Sequence, residues 1–162
     1  MRRTLAVILL FPNNTGPFWH NDVHEPTFFS SGAYRDVIPE GSTALVVPLG
    51  ANGDSMLWQA DAGFWFRMPA GNVGTRPPPE FGDWPAMPEL YSGRAGSATD
   101  EQLEEFLGAN DIRTVVVVDG TPGEWDAIFA PLGGPRRVGG VEVWTVSSRI
   151  LRQNANAPRP PG

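Results

Sequence analysis

Five polar residues of this sequence have side chains suited to holding a ligand: Asn52, Asp54, Ser55, Asn72 and Asp119. Amide, hydroxyl and carboxylate groups of this kind suit hydroxyl-rich or anionic ligands. In open parallel sheets, ligands bind beyond the carboxyl ends of the strands. The sequence therefore predicts a binding site where the loops 50–55, 70–72 and 119–121 meet. The alternative is that these residues are ordinary helix caps and turns.

The same residues form no recognisable catalytic arrangement. The glycine spacing around residues 50–55 matches neither a phosphate-binding loop nor a dinucleotide-binding fingerprint, and the chain has no lysine. Ser55 lies in the sequence GDSML, not in the G-x-S-x-G turn of a serine hydrolase. Asp54 and Asp119 can form a carboxylate pair, but sequence spacing sets no distance between them. We predict no catalytic residue.

A second polar cluster, His20, Asp22, His24 and Glu25, raises the question of a metal site. These side chains share one short loop before Pro26, whereas a zinc site draws its ligands from separated elements. The chain has no cysteine and no third histidine. The cluster is therefore interpreted as a polar loop with Glu25 near the positive end of a helix, and neither a metal nor a cofactor is predicted.

The elements that position these residues centre on the stretch 42–74. Residues 42–50 are a β-branched run typical of a buried strand, and 50–53 are a glycine-rich turn. Asp54 or Ser55 can cap the helix that follows. Leu57, Ala60 and Phe64 recur at helical spacing and predict its core face. The sequence FWFRM then predicts a second strand, and hence a parallel βαβ unit.

The rest of the chain alternates in the same way. A helix is predicted from Pro26, with Phe29, Ala33 and Val37 on one face, and another from the capping box Thr99-x-x-Gln102. Residues 112–118 are a second β-branched run, expected beside 42–47 as a buried central strand. A helix with Pro122 in its first turn follows. Residues 135–146 read as a hairpin with a two-glycine turn.

These elements predict a three-layer α/β fold: a mainly parallel sheet, helices on both faces and a C-terminal β-hairpin edge. We expect one domain, 1–151, with a long Pro-rich loop at 75–97 and a disordered polar tail at 152–162. The aromatic residues of that loop either stack on a ligand or pin the loop to its own domain. Residues 4–11 predict a first strand, or else a signal or the stub of a membrane helix.

Composition narrows the range of partners. Hydrophobic residues make up 41% of the 162-residue chain, enough for a core, and the formal net charge is −6. This negative charge argues against nucleic acid as a partner. No apolar run reaches the length of a membrane-spanning helix.

Several stretches together resemble a known pattern. They are MLWQADAGFWFRMPAGNVG followed by PPPEF, the preceding PTFFSSGAYRDVIPEGSTALVVPLG, and VVVVDGTPGEWDAIFAPLGGPRRVGGVEVWTV near the end. This pattern resembles the soluble C-terminal domain of bacterial polytopic membrane proteins of the glycosyltransferase type, which use lipid-linked sugars. The likeness spans about residues 26–146.

The resemblance implies an accessory domain that assists recognition of a glycan or lipid-linked sugar and acts with a membrane-embedded glycosyltransferase segment or partner. It implies a location at the extracytoplasmic face of the cell membrane. The family's acidic catalytic residues lie between membrane helices that have no counterpart here, so none is carried over. The alternative function is that of a free-standing small α/β enzyme that acts on a sugar or a phosphorylated metabolite, and the alternative location is the cytoplasm.

Overall fold

A four-stranded mixed sheet is the centre of the fold. The computed structural model describes residues 25–49, 53–69 and 79–155. Within them, the strands are β1 (Thr43–Val47), β2 (Ile112–Val118), β3 (Arg136–Val138) and β4 (Val141–Thr145), in the order β1-β2-β4-β3. β1 pairs with β2 in parallel, whereas β4 is antiparallel to both β2 and β3.

The chain therefore has an α/β fold, but the prediction of a mainly parallel sheet is wrong. Only the β1–β2 pairing of the named strands is parallel. The chain turns back at Gly139 and Gly140, which have φ angles of +57° and +82°, and β4 then pairs directly with β2. The two β-branched runs are neighbours and buried, as predicted, although β1 lies at the end of the strand order.

The second strand of the predicted βαβ unit is reduced to a single bridge. Thr43 pairs in parallel with Arg67, and the Ala44 N–H donates to the Arg67 carbonyl over 2.8 Å. Before it, Phe64 adopts a left-handed conformation with φ +56°. The FWFRM stretch therefore forms one bridge and no strand, and a strand cannot include Phe64 in that conformation.

Short helices connect the strands. α1 (Thr27–Ser30) ends before Gly32, whose φ of +82° separates it from a 3-10 helix over Ala33–Asp36. One continuous helix from Pro26 was predicted, so this part is wrong. The remaining helices are α2 (Ser55–Asp61), α3 (Pro79–Gly82), α4 (Met87–Ser92), α5 (Asp100–Ala109), α6 (Trp125–Ile128), a 3-10 helix over Ala130–Leu132, and α7 (Ser148–Asn154).

The capping box predicted at α5 is confirmed. The Thr99 hydroxyl accepts from the Gln102 N–H at 3.2 Å, and the Gln102 side chain accepts from the Thr99 N–H at 2.9 Å. The other predicted caps differ, since the Asp54 side chain makes no capping bond and α6 begins after Glu124, not at Pro122.

Two regions assigned to irregular structure contain helices. α3 and α4 lie within the predicted loop 75–97, and the loop aromatics Phe81 and Trp84 pack on Phe106 of α5, with ring centroids 6.4 and 5.6 Å away. They pin this segment to its own domain. α7 extends to Asn154, whose amide donates to the carbonyls of Glu104 and Ile150. Residues 152–154, which were predicted to belong to the disordered tail, are therefore part of α7.

Two hydrophobic clusters pack against the sheet, and they take alternate residues of its strands. Leu45, Val115 and Trp144 belong to one cluster, together with residues of α4, α5 and α7. Val46, Val116 and Val143 belong to the other, together with residues of α1 and α2. Because successive side chains of a strand point to opposite faces, the two clusters lie on opposite faces of the sheet.

The predicted core face of α2 is wrong. Leu57 is 43% exposed, Phe64 is 69% exposed and Ala60 is also exposed, whereas Trp58 is only 3% exposed. The helix buries Ser55 and Trp58 instead, and Ala62, which directly follows the helix, is buried at the same spacing. Phe29 of α1 stacks on Trp58 with ring centroids 5.3 Å apart, so this aromatic contact sets the rotation of the helix.

Two N-terminal predictions lie outside the described residues. These are the strand at 4–11 and three members of the polar cluster, His20, Asp22 and His24; the fourth member, Glu25, is described. No helix within the described ranges combines the length and apolar character needed to cross a lipid bilayer. Across the same ranges, no group of three or more His, Asp or Glu side chains is placed to hold a metal ion.

Candidate binding site

A cavity of about 400 Å³ opens at the carboxyl ends of β1 and β2. Its walls come from four places: the residues just after β1, the start of α2, the end of α4, and the loop from β2 into α6. The lining residues are Pro48, Leu49, Gly53, Asp54, Trp58, Leu90, Tyr91, Ser92, Val118, Asp119, Gly120, Thr121, Pro122 and Trp125. Proteins with an open α/β sheet commonly bind ligands at the carboxyl ends of the strands.

The position of the cavity follows from the path of the chain. Trp58 belongs to the cluster on one face of the sheet, whereas Leu90 and Trp125 belong to the cluster on the other. α2, which follows β1, contributes to the first cluster, and α4 contributes to the second. The cavity lies between these two helices at the end of the parallel strand pair.

Two glycines let the walls approach closely. A Cβ on Gly53 would lie 2.6 Å from Pro48 Cγ and 2.8 Å from the Pro48 carbonyl oxygen, so the chain folds tightly back on β1 here. Gly93, at the end of α4, has φ +67°, and its carbonyl accepts from the Glu124 N–H at 2.7 Å. This bond fastens α4 to the loop that follows β2.

Gly93 provides a test of this wall. A Cβ on Gly93 would lie 2.8 Å from both the Pro122 carbonyl oxygen and Trp125 Cζ2, whereas one on Gly41, with φ +69°, would meet nothing within 4 Å. Both alanine variants should lose about 1–2 kcal/mol of stability to the left-handed backbone. Gly93→Ala should lose roughly 1–3 kcal/mol more through overpacking. Urea denaturation of both variants measures this difference, and equal losses would contradict the close contact.

Two of the five predicted site residues line the cavity. Asp54, at the N-terminus of α2, and Asp119, directly after β2, are both part of its lining. Among the described residues, neither carboxylate makes a side-chain hydrogen bond or an ion pair. Ser55 is 6% exposed and is not a lining residue. Asn52 and Asn72 lie outside the described residues.

Three aromatic residues, Trp58, Tyr91 and Trp125, line the cavity. Tyr91 belongs to the loop 75–97, whose aromatic residues were predicted either to stack on a ligand or to pin the loop, whereas Trp58 and Trp125 were not predicted as site residues. Trp125 Nε1 donates to the Thr121 carbonyl over 3.1 Å, which orders the loop after β2. The usable signal was the spacing of Ser55, Trp58 and Ala62, which places Trp58 on the buried side of α2.

Burial affects the Tyr91 hydroxyl. It raises the pKa of Tyr91 above its ordinary value of 10.0, so the group is a neutral donor at physiological pH. None of the described residues that line the cavity is basic. The site therefore combines aromatic side chains with two carboxylates, and the carboxylates can accept hydrogen bonds from hydroxyl groups.

A comparison with protein-family models found no match, and comparisons with curated proteins and with solved structures found none either.

Proposed function

We propose that this chain is a glycan-binding domain that assists a membrane glycosyltransferase-like protein and is not catalytic alone. One observation carries the binding part of this proposal: aromatic side chains and two carboxylates line one cavity at the carboxyl ends of β1 and β2. Its volume of about 400 Å³ lies within the range of small-molecule sites.

The chemistry of a sugar matches this lining. A sugar ring has apolar C–H faces, which can pack on the half-buried aromatic ring of Tyr91. Its hydroxyl groups donate hydrogen bonds, which Asp54 and Asp119 can accept as charge-assisted bonds. The mixture of a largely apolar wall with a few polar groups is typical of small-ligand sites.

The membrane partner and the extracytoplasmic location rest on the sequence resemblance. If the chain belongs with a membrane-embedded segment, the reading frame ahead of Met1 should encode membrane-spanning residues. An independent start signal would favour the free-standing enzyme. The same proposal includes a three-layer arrangement of the sheet between its two hydrophobic clusters, with β3 and β4 as a hairpin edge. It is supported by the different helices in the two clusters: α4, α5 and α7 in one, and α1 and α2 in the other.

The binding proposal is tested by NMR titration of the ¹⁵N-labelled chain with methyl glycosides of glucose, galactose, mannose and arabinose. At least one glycoside should shift the amide signals of residues 53–58 and 118–121 at lower concentrations than the other amide signals. The double variant Asp54→Asn, Asp119→Asn should bind at least about tenfold more weakly, since hydrogen bonds to charged groups contribute about 1.5–3 kcal/mol each.

The matched control is Glu101→Gln, which removes a carboxylate from the exposed side of α5 and should leave binding unchanged. Absence of any shift across the panel would contradict the proposal. Turnover of a sugar or phosphate ester by the purified chain, lost in the double variant, would establish the small-enzyme alternative.

A further inference from the structure

The most exposed large hydrophobic side chains come from one short stretch of the chain. Among the described residues, Met56 is 37% exposed, Leu57 is 43% exposed and Phe64 is 69% exposed, whereas the other large apolar side chains are buried or half-buried. We call these three residues the α2 patch, since the first two lie on α2 and the third follows its end. Singly exposed apolar residues are ordinary, but three that are grouped in this way favour a contact with another apolar surface.

The packing and the backbone hold the α2 patch outward. Stacking of Trp58 on Phe29 turns Trp58 toward the core and leaves the first two patch residues on the outer side of the helix. Where the helix ends, the Phe64 N–H donates to the Gln59 carbonyl over 2.9 Å. Phe64 has φ +56°, which is sterically unfavourable for a bulky residue, and such conformations persist where the surrounding structure imposes them, commonly at functional sites. The exposure of the patch is therefore a fixed property of this fold.

The chain itself contains an apolar run that can cover the patch. This run, LAVILLF at 5–11, is the longest in the sequence and lies outside the described residues. The described chain begins at Glu25, and Phe29, four positions later, stacks on Trp58 of α2. The N-terminal segment therefore joins the fold beside α2. Residues 12–24 can span up to about 43 Å when extended, more than the roughly 30 Å diameter of a small domain, so the run can reach the patch.

Charge favours the same occupant. α2 carries no basic residue, and Asp61 at its end is exposed and makes no ion pair among the described residues. Arg2 and Arg3 stand just before the apolar run, so docking of the run on α2 brings two cations toward this carboxylate. A second copy would instead bring an identical acidic helix, and the net charge of −6 opposes its approach as well as that of an anionic bilayer.

We propose that the apolar run 5–11 docks on the α2 patch of the same chain, with Arg2 and Arg3 beside Asp61. Removal of both apolar surfaces from water drives this contact. The contact is local, because a terminal segment can leave α2 without unfolding the domain. The inference goes beyond glycan binding and does not depend on it, since none of the three patch residues lines the cavity.

Paramagnetic labelling of the full ¹⁵N-labelled chain tests the contact. The sequence has no cysteine, so Thr4→Cys introduces a single site for a nitroxide label and leaves the run 5–11 unchanged. Among the described residues, the label should cause a loss of amide signal intensity centred on 55–64. A label at Gln153→Cys, on the exposed side of α7, should leave those signals intact. A loss centred elsewhere in the fold, or no loss at all, would overturn the proposal.

Substitution of the patch checks that the run recognises its apolar surface. In the Thr4-labelled chain, Leu57→Asp places a charge in the contact and should restore the lost signals, while circular dichroism stays native because the site is exposed. The matched control Ala130→Asp places the same charge at an exposed position after α6 and should leave the loss unchanged. The same loss in a folded Leu57→Asp chain would overturn the assignment to the patch.

Two further samples distinguish the other possible occupants. A mixture of the labelled ¹⁴N chain with the unlabelled ¹⁵N chain should show no loss at 55–64. A loss in this mixture would assign the patch to a contact between copies and overturn docking within one chain. Phosphatidylcholine vesicles should leave the signals of 55–64 in the unlabelled chain unchanged, and a selective loss of these signals would assign the patch to a bilayer and overturn the proposal.

Discussion

Replacing Val116 with aspartate is expected to abolish folding. Val116 is fully buried in β2, between Val46 of β1 and Val143 of β4. An aspartate at this position would place an unpaired charge against a hydrophobic cluster, and neutralising it by protonation would still leave a buried polar group unsatisfied. The loss should exceed about 4–5 kcal/mol, a large part of the stability of a domain of this size.

Thr145→Asp is the matched control. Thr145 pairs with Thr114 of β2 in the same sheet, but its side chain is exposed, so the new carboxylate stays in water. We expect this variant to keep the native circular dichroism and unfold within about 0.5 kcal/mol of the unmodified protein. A folded Val116→Asp protein with native thermal stability would show that β2 is not buried on this face.

The second large effect is a difference in stability loss between alanine substitutions at Phe66 and Phe64, which lie two residues apart. Phe66 is fully buried, and its ring lies 6.2 Å from that of Phe29 and 6.4 Å from that of Tyr34. Truncation to alanine should therefore cost about 3–5 kcal/mol through lost contacts and the remaining cavity. Phe64 is 69% exposed, and Phe64→Ala should change stability by no more than about 0.5 kcal/mol.

Chemical denaturation of both variants measures this contrast directly. It also tests the predicted core face, because the sequence pattern assigns Phe64 to that face and the structure exposes it. A large loss for Phe64→Ala, equal to that for Phe66→Ala, would restore the face predicted from Leu57, Ala60 and Phe64. A small loss for both would mean that the aromatic cluster around Phe29 contributes little.

Local signals in the sequence were sufficient where the physical cause is itself local. The two β-branched runs form buried neighbouring strands, since β-branched side chains suit strands covered on both faces. The capping box at Thr99 and Gln102 forms because its donors and acceptors are three residues apart. Asp54 and Asp119 were placed at one edge of the sheet by the general geometry of parallel strands.

Tertiary packing decided the features whose cause lies far along the chain. α2 has two candidate apolar faces at helical spacing, and stacking between Trp58 and Phe29, 29 positions earlier, selects one of them. The position of β4 beside β2 depends on pairing between strands that are distant in sequence. The aromatic wall of the cavity likewise exists because Trp58 and Tyr91, on helices packed against opposite faces, end beside the same strand pair. Sequence alone determines which residues can occupy such positions, whereas contacts between distant segments determine which of them do.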